Sequence, residues 1–295
     1  MKRLILTLSI LSALGAVAYA GPETYSGKEM KDMKEVAPAP PACPSWTGFY
    51  LGGNIGYAFA ADADITLKLG GSWNGPFLAD ILDKRFIEPL GSRELHGDGL
   101  RAGGALGYNY QFGHFVVGVE ADIDYVGLDD SHSIGPVTNP ATGDIFRINT
   151  SYNTNYIATF GPRFGYAWCR FLPYVTGGLA IGDIDFYQRI HETVIFTDGD
   201  GEAPAPLQAI NGFPFDEQGR SNDTQVGWFA GGGLQYAITD HWSARAEYRY
   251  TDLGCTDFDS AGKGPNLGLP ASSYTGNHEL CLTFHSVTFG VLYKF

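Results

Sequence analysis

The sequence predicts an all-β protein: an eight-stranded antiparallel up-and-down transmembrane β-barrel. Three observations carry that prediction. Hydrophobicity alternates with a period of two from Trp46 to the end of the chain. The connections between the alternating runs are short and long in turn. The runs themselves exceed the usual five or six residues of strands in soluble sheets and match the roughly 9–11 that a tilted strand needs to cross a bilayer. Composition agrees. The 295 residues include 40 glycines and 14% aromatics with only 17% charged side chains, a sheet-rich balance. With 44% hydrophobic residues the chain is not a disordered acidic protein. Nineteen basic against 32 acidic residues give a net charge of -13, which excludes the basic face that nucleic-acid phosphates require. After the N-terminal segment no stretch approaches roughly 18 consecutive apolar residues, so membrane-spanning helices are excluded.

Residues 1–20 read as a secretory signal peptide. Lys2 and Arg3 precede the apolar run Leu4 to Val17, and Ala18-Tyr19-Ala20 supplies the small-x-small cleavage pattern. Cys43 lies too far beyond the apolar run to be a lipoprotein attachment site. Residues 21–45 mix charges with Pro38, Pro40, Pro41 and Pro44, a composition that cannot bury a core. They are expected to form an extended periplasmic linker. The barrel domain is then 46–295.

Within it, strands are expected near 46–60, 99–111, 115–127, 151–167, 171–187, 224–238, 242–254 and 281–295. The third shows the pattern best: Phe115, Val117, Val119, Ala121, Ile123 and Tyr125 share one face, and Val116, Gly118, Glu120, Asp122 and Asp124 the other. Tight turns are expected around Gly113, Cys169 and Asp240. Long polar loops are expected over 61–98, 128–150, 188–223 and 255–280. Trp46, Phe112, Phe115, Trp168, Phe171 and Trp242 cluster beside the short turns, as an interfacial aromatic belt would. In a membrane barrel the apolar face meets lipid and the polar face lines the interior. Eight strands leave an interior that side chains just fill, so Gly48, Gly52, Gly56, Gly103 and Gly107 are read as inward positions that make room for larger neighbours. Pro162 cannot donate to a ladder and is expected at a bulge.

Several stretches carry a family resemblance: WTGFYLGGNIGY (46–57), GALGYNYQFGHFVVGVEADIDY (104–125), GPRFGYAW (161–168), PYVTGGLAIGD (173–183), VGWFAGGGLQYAITDHWSARAEYRYTDLG (226–254) and VTFGVLYKF (287–295). With these the sequence resembles the porin-like outer-membrane β-barrel proteins of Gram-negative bacteria, a group that includes surface antigens and hemin-binding proteins. The resemblance implies an integral outer-membrane surface protein, structural or a narrow pore, among outer-membrane lipids and lipopolysaccharide. It also implies that Tyr293 and Phe295 form the C-terminal signal read by the barrel assembly machinery. The alternative is a loop-mediated adhesin or ligand binder, with an extracellular ligand held by loops 61–98 and 188–223. The long loops carry no part of the resemblance. Trp73, Phe77, Phe196, Phe213 and Phe215 within them are read as loop packing rather than ligand contacts.

Inward parity collects Arg101, Glu120, Asp122, Arg163, Arg245, Glu247, Arg249 and Lys294. Charges inside a narrow barrel must pair, so these form either a salt-bridged plug or the lining of an ion path. Glu120 with Arg245 or Arg249 is the expected pair. Four cysteines in an exported chain point to disulfides. Only Cys255–Cys281 with Cys43–Cys169 keeps both partners on one side of the membrane. Histidines 96, 114, 132, 191, 241, 278 and 285 lack ligand spacing, so no metal site is assigned. Asp198-Gly199-Asp200-Gly201-Glu202 lacks the distal Glu of a calcium loop and reads as an acidic loop tip. His285 and Ser286 are adjacent and face opposite sides of a strand, and no G-x-S-x-G elbow exists, so no enzyme activity and no cofactor are expected.

Overall fold

The computed structural model describes residues 43–74, 78–195, 214–263 and 273–295. The signal peptide, most of the linker, Phe77, Phe196, Phe213 and the acidic run 198–202 lie outside them. Eight strands, β1 (Gly48–Gly71), β2 (Arg93–Phe112), β3 (Phe115–Thr138), β4 (Ile145–Tyr166), β5 (Phe171–Thr193), β6 (Pro214–Ala237), β7 (Trp242–Lys263) and β8 (Ser273–Lys294), pair in chain order. β1 closes antiparallel on β8, so the barrel has no free edge.

The strands run far past the expected bounds. β1 is 24 residues long, more than twice the roughly 9–11 that a crossing needs. Most of what was expected as long loops is strand. The segment 61–98 holds the outer half of β1, a 3-10 turn at Ser72–Asn74, helix α1 (Leu78–Gly91) and the start of β2. Helix α1 escaped the reading because its apolar positions, Ile81, Leu82, Phe86, Ile87 and Leu90, follow helical spacing inside a segment judged only by its polarity.

Two zones of opposite polarity divide the barrel. Next to the short turns, the outward side chains are apolar and exposed: Phe49, Leu51, Ile55 and Tyr57 on β1, Val119 and Ile123 on β3, Phe289 and Val291 on β8. Beyond that belt the apolar residues turn inward. Ala61, Ala63, Ile65, Leu95, Val126, Leu128, Ile184, Phe186, Leu280, Leu282 and Phe284 form a dry core within the barrel, while Asp64, Thr66 and Lys68 face out. The second zone is built as a water-soluble barrel is, and it stands clear of the bilayer.

The strands achieve this inversion in two ways. In β8 and β5 the sequence itself changes parity: Phe289 and Val287 face out, Phe284 and Leu282 face in, and the pleat is unbroken. In β1 the apolar parity never changes. Ile55, Tyr57, Phe59, Ala61, Ala63, Ile65, Leu67 and Leu69 are all odd-numbered. A bulge between Ala58 and Ala61, with Ala60 at φ 47°, swaps the faces, so Phe59 is exposed and Ala61 fully buried. β7 uses the same device at Gly254, φ 73°, and β4 between Thr154 and Ile157.

Two further expectations are corrected. Pro162 sits in β4 with no register shift: Phe160 pairs Leu179 and Arg163 pairs Thr176, in step. The ladder to β5 skips the positions opposite Gly161 and Pro162, and the Pro162 carbonyl accepts a hydrogen bond from Thr176 Oγ1 at 3.0 Å instead. Trp46 precedes β1 and does not join the aromatic belt. It is buried across the short-turn mouth with Val116, Ala167, Leu172 and Ala237, and its indole donates to the Cys169 carbonyl at 3.2 Å.

Candidate functional site

The lumen of the lipid-facing zone contains four arginines and four carboxylates. Arg245 reaches Glu120 at 2.6 Å and Asp122 at 3.5 Å. Arg163 reaches Glu120 at 3.3 Å, and Arg249 reaches Glu247 at 2.6 Å and Asp122 at 3.4 Å. Arg101 pairs with Asp124 at 2.5 Å and donates to Ser286 Oγ at 2.7 Å. All eight side chains are buried. Tyr50 donates to Glu120 and Tyr174 to Glu247, each at 2.7 Å, and the Arg163 guanidinium lies 3.7 Å over the Tyr174 ring. The small inward residues permit this packing. A Cβ at Gly103 would sit 2.1 Å from Asp124 Oδ1, and one at Gly107 would sit 2.3 Å from the Tyr50 hydroxyl.

Seven of the eight residues singled out by parity thus meet in one cluster. Lys294 does not. It stands at the short-turn rim, where its ammonium donates to the Ser45 carbonyl. Asp124, Tyr50 and Tyr174 were missed as network members. Asp124 shares the parity of Glu120 and Asp122, but neither tyrosine carries a charge that parity counting would flag. Glu120 is the hub, bound by Arg245, Arg163 and Tyr50. Four positive and four negative groups make the network neutral, which suits a closed structure better than an ion-selective one.

Beyond the network the dry core fills the barrel, and beyond that a second apolar layer caps it. Leu67, Leu69, Trp73, Ile87, Phe146, Ile148, Ile190 and Phe215 pack together there, with Ile87 supplied by α1. Trp73 and Phe215 are therefore packing residues. Between core and cap lies a polar chain: Trp73 Nε1 donates to Glu217 at 3.0 Å, Ser260 Oγ donates to Glu217 at 2.5 Å, and His278 Nε2 meets Ser260 Oγ at 2.8 Å. The carboxylate holds the serine rather than the histidine, so the three groups do not form a nucleophile relay.

Burial pushes His278 down to about 4 and raises Glu217 above the usual carboxylate range. An unfolded histidine titrates near 6.5. Between those values the unfolded chain binds more protons at this position, so stability is lost as pH falls from about 6.5 to about 4. The expected loss is about 3 kcal/mol. Urea unfolding of wild type and His278→Gln across this range checks it: the acid loss should be larger in wild type by that amount. Equal slopes would remove His278 from the account.

The structure pairs Cys43 with Cys169 and Cys255 with Cys281. The first bridge staples the segment before β1 to the β4–β5 turn. Cys255 and Cys281 are not at loop ends, as expected, but directly opposed across β7 and β8, Cα to Cα 4.0 Å, on the outer face just past the Gly254 bulge. His285 faces outward beside Tyr248, and Ser286 faces the lumen. His96 comes beside Asp62 at 3.0 Å on the exposed face of β1 and β2. Tyr293 and Phe295 lie together at the short-turn end, ring centroids 5.2 Å apart.

A closed eight-stranded barrel with a lipid-facing apolar belt, aromatic residues at the short turns and a charge-paired lumen defines a transmembrane barrel of the outer-membrane type. The chain belongs to the family described as the outer membrane protein beta-barrel domain, whose model matches residues 36–295. It is similar to the 31 kDa outer-membrane immunogenic protein of Brucella melitensis, 32% identical over 263 residues, covering 87% of this chain and 88% of that protein. It is also similar to the 22 kDa outer membrane protein of Rhizobium leguminosarum bv. viciae, 30% identical over 224 residues, covering 76% and 71%. Among solved structures, the outer membrane protein OprG from Pseudomonas aeruginosa matches with a TM-score of 0.37 and 13% identity, over 86% of this chain and 98% of that one. The protein is thus an integral outer-membrane β-barrel of a Gram-negative bacterium. The short-turn end of such barrels faces the periplasm, which puts the water-facing zone outside the cell.

Proposed function

We propose that this protein is a sealed outer-membrane barrel whose work is done by the rigid β-barrel extension that it holds above the membrane, and that it is neither a diffusion pore nor an enzyme. The observation that carries the reading is the filling of the interior by consecutive layers: a neutral ion-pair network, a dry apolar core and an apolar cap. An ion path would have to cross all three. The charges of the network serve as internal struts.

The test is single-channel recording of the refolded chain in planar bilayers, with and without reductant. Silence from protein shown to be folded is the expected result. A steady conductance would overturn the reading and make Glu120, Arg245 and Arg249 selectivity residues. Reduction frees the Cys43 staple at the periplasmic mouth but leaves both outer layers in place, so silence should persist.

A binding role is the second reading, and one observation favours it. A groove of about 660 Å³ crosses the outer faces of β3 to β6 in the extension, lined by Asp129, Ser131, Asn153, Asp185, Tyr187 and Arg220 among others. A ligand would meet this strand surface. The reading keeps the remaining expectations as proposals: a signal peptide at 1–20, a periplasmic linker before the barrel, lipopolysaccharide and lipids around the belt, and Tyr293 with Phe295 as the assembly signal.

A further inference from the structure

Three carboxylates from distant parts of the chain meet at the outer mouth. Asp83 comes from α1, Asp144 from the β3–β4 turn and Glu192 from the end of β5. One oxygen of each lies within 4.8 Å of the others, and all three residues are buried. Asn139 Nδ2 and Thr142 Oγ1 each donate to Asp83 Oδ1 at 2.7 Å, and the Ile195 N–H donates to Asp144 Oδ1 at 2.5 Å. Those contacts orient two of the carboxylates and leave the second oxygen of each without an N–H or hydroxyl donor among the described residues. Glu192 is the decisive observation. It is only 6% exposed, it is aimed into the cluster, and it accepts no hydrogen bond from any described residue.

The charge balance is equally one-sided. None of the ion pairs among the described residues includes Asp83, Asp144 or Glu192. In the lumen every buried carboxylate has an arginine. Three buried carboxylates without a counter-charge among the described residues call for a cation. We propose that Asp83, Asp144 and Glu192 form a binding site for a hard divalent cation of the calcium class at the outer mouth of the barrel. All candidate ligands are oxygens, which disfavours zinc and copper. They come from three separate elements, an irregular set that calcium accepts more readily than magnesium. A bound ion ties α1, the β3–β4 turn and β5 together, and so locks the cap over the barrel.

The full chain, refolded into detergent free of lipopolysaccharide and treated with chelator, should be titrated calorimetrically with calcium chloride, with magnesium chloride for comparison. One calcium per chain is expected, with a rise in unfolding temperature and weaker binding of magnesium. Glu192→Gln and Asp83→Asn should each weaken calcium binding by at least about tenfold while keeping the gel mobility of the folded barrel. Two variants on different elements keep the test sound if one fails to fold. Absence of saturable binding up to about 10 mM, above the roughly 0.1–1 mM range of extracellular calcium modules, would overturn the proposal and leave the cluster neutralised by protons alone. Calcium binding that both variants retain would overturn it too, placing the ion elsewhere, such as the acidic run Asp198 to Glu202.

Discussion

Glu120→Gln is expected to destabilise the barrel by roughly 3–5 kcal/mol, the cost of leaving a buried charge without its partner. The substitution keeps the shape and removes one negative charge from a network of four positive and four negative groups. Arg245 and Arg163 then share a lumen with one carboxylate fewer, and neither can reach solvent, since both are buried. Urea unfolding in lipid vesicles is the measurement. Removing Glu120 and Arg245 together, as leucine and methionine, should cost less than the sum of the two single changes, because the double change leaves less charge unpaired. A Glu120→Gln protein within about 0.5 kcal/mol of wild type, the range of an ordinary surface change, would mean that the network is not a strut.

The second expected result is larger. Proline fixes φ near −65°, so Ala60→Pro cannot hold the bulge and should unfold the outer half of β1 while the lipid-facing half still assembles. The bulge at Ala60 is the only device in β1 that turns Ile65, Leu67 and Leu69 inward. Without it the pleat runs on unbroken, those three side chains face water, and Asp62, Asp64 and Lys68 face the dry core. Each apolar side chain is worth roughly 1.5–3 kcal/mol on burial, so the three alone forfeit about 5–9 kcal/mol before any buried charge is counted. Proteolysis of intact cells should cut the Ala60→Pro variant between Ala61 and Gly71 and spare wild type, with the membrane-embedded fragment still protected. Ala60→Gly is the matched control. It keeps the extra residue and relieves the positive φ, so it should stabilise by about 1 kcal/mol. An Ala60→Pro protein that resists protease like wild type would show that the outer strand tolerates either face inward.

These two positions mark where the sequence can and cannot be read. Glu120, Asp122, Arg245, Glu247 and Arg249 fall on one parity inside strands whose other face is apolar, so their meeting in the lumen was legible residue by residue. So were the tight turns and the eight-fold count. Ala60 was not legible. In β1 the apolar residues keep one parity through the bulge, and nothing in the letters around Ala58 to Ala61 says that the face they occupy has changed. In β8 the parity does change, at Phe284 and His285, inside a strand expected to begin only at 281. The strand in fact continues into water. The carboxylates of Asp83, Asp144 and Glu192 had no local spacing to betray them, because each comes from a different connection of the barrel.

The sequence by itself determined the class of fold, the number of strands, the lipid-facing belt and most of the charged residues that line the lumen. All of these rest on the two-residue period of a strand, which a single segment displays on its own. The tertiary structure alone decided where the membrane zone stops, which side of each outer strand is the inside, and which acidic groups meet at the mouth. Those depend on bulges and on ring closure. A one-residue insertion exchanges inside for outside, and closing eight strands into a ring brings together side chains that no period within one strand relates.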